Sequence, residues 1–209
     1  MVHDRRPRDP PRVGASVVNA TVWLIRHAPT AWTGRRWCGL ADPPLSRDGR
    51  AVARTLARAL VDELPAEALV RTSPAHRARS TAAEIARAAR LPVTVDASLR
   101  EVDVGRAQGL TWEQLEAREP AVAAAIRGGR PVDWPGGEPS TATAERAARV
   151  ASALEATSGR PLVVVSHGAF LHALIATLLG TGRFERIAGQ ATEPLRAAEV
   201  VRLTRAWPQ

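Results

Sequence analysis

Four short stretches of this chain end in side chains able to handle a phosphate ester. Val22-Trp23-Leu24-Ile25 runs directly into Arg26-His27. Thr72-Ser73-Pro74 is followed closely by Arg77. Leu99-Arg100 leads to Glu101, and the run PLVVVS at 161–166 leads to His167-Gly168. Two guanidinium groups can grip the non-bridging oxygens of a phosphate monoester in bidentate fashion. One imidazole can attack phosphorus as a nucleophile. The second can donate a hydrogen bond to an equatorial oxygen as charge builds there. A carboxyl group can protonate the departing alkoxide. The set works only if the four stretches meet in space.

The elements that would bring them together are legible in the pattern. Short apolar runs bounded by turn signals read as buried strands. Strands are expected over Thr21–Ile25, Leu69–Arg71, Val93–Val95, Pro161–Ser166 and Glu199–Leu203. Ser46 is a good N-cap for a helix to about Leu60, with Val52, Leu56, Ala59 and Leu60 on one face and Arg47, Arg50, Arg54 and Arg58 on the other. Thr72-Ser73-Pro74 opens a second helix to about Ala89. Thr111–Arg118 and Pro120–Arg127 read as short helices, Ser140–Thr157 as an alanine-rich one and Gly168–Leu179 as an apolar one. This alternation implies an α/β fold with a largely parallel sheet covered by helices on both faces. Sites in such sheets lie beyond the C-terminal ends of the strands, where all four stretches end.

Composition narrows the function classes. The 209 residues, 45% of them hydrophobic, suit one domain with a packed core. The start, MVHDRRPRDPPRVG, is charged and proline-rich and lacks the apolar stretch of a secretory signal; residues 1–18 read as a flexible arm before a domain over 19–209. The apolar runs are too short to cross a bilayer. Cys38 is the single cysteine, so no disulfide forms within the chain and a reducing cytoplasm fits; its loop position reads as packing. The net charge is +8 and every basic residue is an arginine. Those arginines are dispersed over many helices with no basic run interleaved with aromatics, so they read as solvated faces and no nucleic-acid partner is expected. His3, His27, His76, His167 and His172 show no metal-ligand spacing, and no metal is expected.

RHAPT at 26–30, DPPLSRDG at 42–49, TSPAHRARSTA at 72–82, LRE at 99–101 and VSHG at 165–168 together resemble the histidine phosphatase superfamily, branch 1, the phosphoglycerate-mutase-like group. The motifs stand in the family's order and cover most of the chain from residue 20 onward. The resemblance implies a three-layer α/β/α sandwich with the site at the C-terminal edge of its sheet, and no metal or organic cofactor. It implies that His27 becomes a phosphohistidine, that Arg26, Arg77 and His167 complete the phosphate pocket, and that Glu101 is the general acid. Glu113 and Glu138 lie in segments that can also reach the mouth. Three positions depart from the family's pattern. Ala28 replaces the usual Gly after the nucleophile, at some cost in backbone freedom. Thr33 replaces an Asn that contacts phosphate, and Gln108 replaces a Glu before Gly109. Thr33, Arg36, Gln108 and Gly168 are the candidate substrate contacts. Residues 105–139, with Trp112 and Trp134, are expected to roof the pocket and, together with Arg35 and Arg36, to set the substrate.

The expected activity is a phosphomonoesterase acting on a small phosphorylated metabolite through a phosphohistidine. A mutase that returns the phosphate to another hydroxyl is the alternative chemistry. The resemblance disfavours it, because mutases carry a longer, more basic insertion between the acid and the second His, and no Arg-Arg pair stands there. A non-catalytic phospho-ligand-binding domain is an alternative of another class, against which the intact set of five residues argues. Nucleic-acid binding through the arginine excess is a third, and it would be steeply salt-dependent. The partner expected is a small-molecule phosphomonoester, without nucleic acid or membrane; a homodimer is allowed but not specified.

Overall fold

The computed structural model describes residues 18–156, 159–182, 185–188 and 196–207. Six strands form one sheet: β1 (Val18–Arg26), β2 (Leu69–Thr72), β3 (Val93–Val95), β4 (Leu162–Ser166), β5 (Glu185–Ala188) and β6 (Val200–Trp207). Their order is β3-β2-β4-β1-β6-β5. β3, β2, β4 and β1 are mutually parallel, while β6 is antiparallel to both β1 and β5. The chain's path sets this up. It leaves β1, skips a place to β2 and β3, then returns with β4 into the gap. The C-terminal tips of β2, β4 and β1 therefore stand side by side, with Arg26 opposite Ser166 and Thr72 opposite Val165.

Helices α1 (Arg47–Leu60) and α2 (His76–Ala89) cover one face, and α5 (Ser140–Glu155) and α6 (Gly168–Gly180) the other. The strands alternate accordingly. Trp23, Ile25, Val163 and Val165 pack with Ala57, Leu60, Ala82 and Ile85 on the first face. Val22, Leu24, Leu162 and Val164 pack with Val150, Leu154, Leu171 and Leu174 on the second. β4 is buried along its whole length, as expected of a parallel strand covered on both faces. The expected three-layer α/β/α sandwich is the observed one. Between α2 and α5, α3 (Trp112–Arg118) and α4 (Pro120–Arg127) pack with Val104, Trp37 and Trp134 in a separate apolar cluster.

Several boundaries differ from the sequence expectation. The arm expected over 1–18 lies outside the described residues except for Val18, which opens β1. β5 was not expected, and β6 runs on to Trp207 because its ladder with β1 spans Val18 to Ile25. The alanine-rich helix α5 ends at Glu155. In α1 the buried face is Gly49, Ala53, Ala57 and Leu60 with Leu56 half-buried, whereas Val52 and Ala59 are exposed. The hydrophobic spacing favoured the larger side chains. The close packing of α1 on Pro29 and α2 selects the small ones.

Ser46 caps α1 as expected, its hydroxyl accepting the Gly49 N–H at 2.9 Å. At Gly49 a Cβ would stand 1.9 Å from the Pro29 carbonyl oxygen. Gly49 therefore lets α1 press against the loop that leaves His27. Alanine is the better helix former by about 1 kcal/mol, but this overlap outweighs the preference. Gly49→Ala is expected to destabilise by about 1–3 kcal/mol, read as a lower urea midpoint, and to reduce turnover by displacing Pro29.

Candidate active site

The ladder of the parallel strands continues one residue past their tips. His27 N–H donates to Ser166 O at 2.9 Å, and Ser73 N–H to Val165 O at 3.0 Å. These bonds hold the backbones of Arg26-His27, Ser73 and Ser166-His167 in one plane. The next residue, Ala28, donates its N–H to Thr81 Oγ1 at 3.0 Å, and that hydroxyl donates to Arg77 O at 2.9 Å. Thr81 thus ties the turn after β1 to the first turns of α2. The Ala28 methyl is fully buried against Leu45 and Ala53, and its backbone lies outside the positive-φ region. Alanine in place of glycine therefore brings no backbone strain.

His27 is 5% exposed. Its Nδ1 lies 2.8 Å from Ala28 O, which can only accept, so Nδ1 carries the proton. Its Nε2 receives the Arg77 Nε–H at 3.2 Å and must therefore hold a lone pair. The ring is locked as the neutral tautomer with a basic nitrogen presented to a guanidinium. Burial first, and then the Arg77 charge, lower its pKa from 6.5 to about 3. His167 is wholly buried, its ring centroid 5.2 Å from that of His27 at 64°. Its Nε2 lies 2.7 Å from Ser73 Oγ, and its Nδ1 has no hydrogen-bond partner among the described residues. Burial, followed by the charges of Arg77 and its neighbours, holds it well below the ordinary imidazole value.

Arg77 is 1% exposed and held on every side. Nη1 donates to Ala41 O at 2.6 Å and Asp42 Oδ1 at 3.3 Å, and Nη2 to Gly39 O at 3.0 Å. Asp42 Oδ2 also accepts the His76 N–H at 2.7 Å, pinning the start of α2. A loop over 39–42, flagged only weakly by its sequence, thus aims Arg77 at His27. Arg26 is largely buried beside them, its own pKa lowered chiefly by desolvation. At Gly168 a Cβ would stand 3.2 Å from the Arg26 guanidinium. Glycine there admits the cation against the N-terminus of α6.

Glu101 lines the cavity at the sheet edge. Its Oε1 accepts the Val102 N–H at 3.0 Å and the Phe170 N–H, in the first turn of α6, at 3.1 Å. Both donors engage Oε1, so a proton on this carboxyl sits on Oε2. The other carboxylates considered are placed elsewhere. Glu113 is exposed on α3, and Glu138 is buried in an ion pair with Arg146 at 2.8 Å. Neither lines the cavity.

That cavity has a volume of about 560 Å³. Arg26, His27 and Glu101 form its floor; Trp32, Trp37, Trp112 and Trp134 contribute apolar walls, and Arg35, Arg36 and Arg196 add cations. Of the candidate substrate contacts, Thr33, Arg36 and Gly168 line it and Gln108 does not. The Gln108 Oε1 instead accepts the Ala41 N–H at 2.9 Å, bracing the loop that aims Arg77. A neutral amide suffices for that task. The Thr33 hydroxyl accepts the Thr30 N–H at 2.9 Å, closing the turn after β1. Arg36 Nη1 donates to Gly109 O at 2.7 Å, beside two backbone bonds that join Trp37 to Gly109 and Leu110. Sequence reasoning missed the positioning residues Thr81 and Asp42, since neither carries a signal beyond lying inside a motif.

The chain matches the model of the histidine phosphatase superfamily (branch 1) over residues 22–194. It is 33% identical to a glucosyl-3-phosphoglycerate phosphatase from Mycolicibacterium vanbaalenii, over 75% of this chain and 73% of that one. It is 33% identical to a probable phosphoglycerate mutase from Salmonella paratyphi C, over 76% of this chain and 74% of that one. Among solved structures, the native mycobacterial glucosyl-3-phosphoglycerate phosphatase superposes with a TM-score of 0.74 at 30% identity, covering 89% of this chain and 90% of that one.

The two depressed imidazoles make folding sensitive to acid. Below pH 6.5 the unfolded chain binds protons at His27 and His167 that the folded chain refuses, so stability is lost as pH falls. The loss for His27 is about 1.4 kcal/mol per pH unit, continuing down to its folded pKa of about 3. Urea midpoints measured from pH 7.5 to 5 are expected to fall accordingly, and His27→Gln is expected to flatten the slope. An unchanged slope in that variant would show that His27 titrates normally.

Proposed function

This chain belongs to branch 1 of the histidine phosphatase superfamily, and from that premise we propose that it hydrolyses phosphomonoesters through a phosphohistidine at His27. The observation that carries the reading is the His27 tautomer: a neutral, buried imidazole whose lone-pair nitrogen meets the Arg77 guanidinium. An incoming phosphoryl group takes over the Arg77 N–H, and the Nε2 lone pair is then directed at phosphorus. Nε2 forms the N–P bond as the ester P–O bond breaks, and Glu101 Oε2–H protonates the departing alkoxide. Water then attacks phosphorus, Glu101 takes its proton, the N–P bond breaks, and inorganic phosphate leaves with His27 neutral again. In this reading Arg26 and Arg77 hold the equatorial oxygens, and His167, whose Nδ1 has no hydrogen-bond partner among the described residues, is the candidate donor to one of them. Buried cations that face one another in this way are relieved most by a dianion.

Substrate identity rests on the cavity wall. The relatives named glucosyl-3-phosphoglycerate phosphatase act on an ester whose alcohol half joins a sugar to a carboxylate. Tryptophan walls and a rim rich in arginine suit a small metabolite of that kind, with a ring for the indoles and a second negative group for Arg36. The domain works over 19–209, with 105–139 as the roof. We place it in the cytoplasm, acting on a small molecule without nucleic acid, as a monomer or homodimer that sedimentation distinguishes. Among the described residues no helix is long and apolar enough to cross a membrane. A second reading comes from the relatives named probable phosphoglycerate mutase: the phosphoryl group returns to another hydroxyl. Isomerised phosphoglycerate in place of free phosphate would favour it.

Three outcomes are expected. With chelator present, wild type releases phosphate from a panel of phosphomonoesters and His27→Ala does not. Rapid quenching with a labelled substrate traps acid-labile phosphate on wild type alone. Equal turnover in both proteins would remove His27 as the nucleophile. Arg36→Met is expected to raise KM about tenfold for a substrate whose alcohol half carries a carboxylate, and to leave KM for a neutral analogue within about twofold.

A further inference from the structure

Arg146 lies on α5, 3% exposed, and does not line the cavity. Its guanidinium nonetheless reaches the segment that carries Glu101. Nη1 donates to Ser98 O at 2.9 Å and to Arg100 O at 2.8 Å. Nε and Nη2 engage the two carboxylate oxygens of Glu138 at 2.9 and 2.8 Å. The carbonyl between those two, Leu99 O, accepts from Ser166 Oγ at 2.7 Å. The three carbonyls preceding Glu101 are therefore all held by buried side chains. The other side of the guanidinium stacks on Phe170, its Cζ 4.1 Å from the ring centroid. Phe170 supplies the N–H that the Glu101 carboxylate accepts. Glu138 extends the brace past Glu101: its N–H donates to Asp103 O at 2.8 Å.

We propose that Arg146 is a positioning residue for the Glu101 carboxyl. It fixes the peptide just before Glu101 and the residue whose N–H orients Oε1, so Oε2 keeps one place relative to the bound ester. The proposal rests on the reading of Glu101 as proton donor. Burying a guanidinium is costly unless it is fully paired, and here every one of its pairings serves the 98–103 segment or α6. Proton transfer is sensitive to displacement: about 1 Å can cost on the order of 10²-fold.

In the first step, misplacing the acid matters only where the leaving oxygen needs a proton. The later attack of water is common to both esters, so the quantity compared is kcat/KM, which reports the first step alone. Arg146→Lys keeps the charge but lacks the planar fork. It is compared with wild type on an alkyl phosphate and on 2,4-dinitrophenyl phosphate, whose phenolate leaves unprotonated. The expected result is a kcat/KM for the alkyl ester lowered roughly 30- to 100-fold, with kcat/KM for the dinitrophenyl ester within about threefold. Should Arg146→Lys yield no folded protein, Arg146→Met with Glu138→Leu buries no unpaired ion and carries the same readout. Equal losses in kcat/KM on both esters, or no loss on either, would overturn the proposal. Glu101→Gln separates the two ideas. A selective alkyl loss there without one in the Arg146 variants rejects the positioning role alone. No selectivity in Glu101→Gln rejects Glu101 as the acid, and the positioning role with it.

Discussion

One hydrogen bond organises this molecule: Arg77 Nε–H to His27 Nε2, at 3.2 Å between two buried side chains. It can form only while His27 is uncharged, because an imidazolium has no lone pair to offer. Burial and the neighbouring guanidiniums both disfavour the proton, so the ring stays neutral far below the usual imidazole range. The Ala28 carbonyl decides which nitrogen carries the remaining proton. In the mechanism we propose, His27 therefore needs no dedicated base beside it, and Arg77, which helps to suppress its protonation, is the cation that would receive the phosphoryl oxygens.

Much of the surrounding structure keeps that guanidinium in place. Three groups of the 39–42 loop accept from Arg77, and Gln108 braces the loop from the 105–110 turn. Gly49 lets α1 close on Pro29 from the other side, and Thr81 locks Ala28 to α2. Arg77 is accordingly held in one place, and under the proposed mechanism that is where preorganisation is worth most. The wall over 105–139 packs its own apolar cluster and joins the loop after β1 through a few backbone bonds. The wall and the His27–Arg77 end are thus built from separate clusters of side chains.

Residue types at strand tips, local caps and apolar spacing were enough to place Arg26, His27, Arg77, Glu101 and His167 at one sheet edge. Most are tied to their elements by a signal a few residues long: an apolar run ending in a cation and an imidazole, PLVVVS before His167, and a proline before α2. The cap expected at 72–74 is replaced by Ala75, which makes no side-chain cap bond. The α/β class followed from the same short-range periodicities. Ser46 and the starts of α4 and α6 were legible for that reason.

Only the tertiary structure decided which nitrogen of His27 is basic, that Gln108 braces a loop instead of facing the cavity, and that Glu138 belongs to Arg146 and not to the mouth. It also decided that β6 runs antiparallel beside β1 and that α1 buries alanines in preference to Val52. Some of these partners are close in sequence, as Ala28 is to His27, and others are distant, as Ala41 is from Gln108 and β6 from β1, but in each case the fold chose among several possible partners. A sequence states what a side chain can donate, accept or bury. Which of several distant groups it meets is settled by close packing and by the need to pair every buried polar atom, and these are properties of the assembled fold.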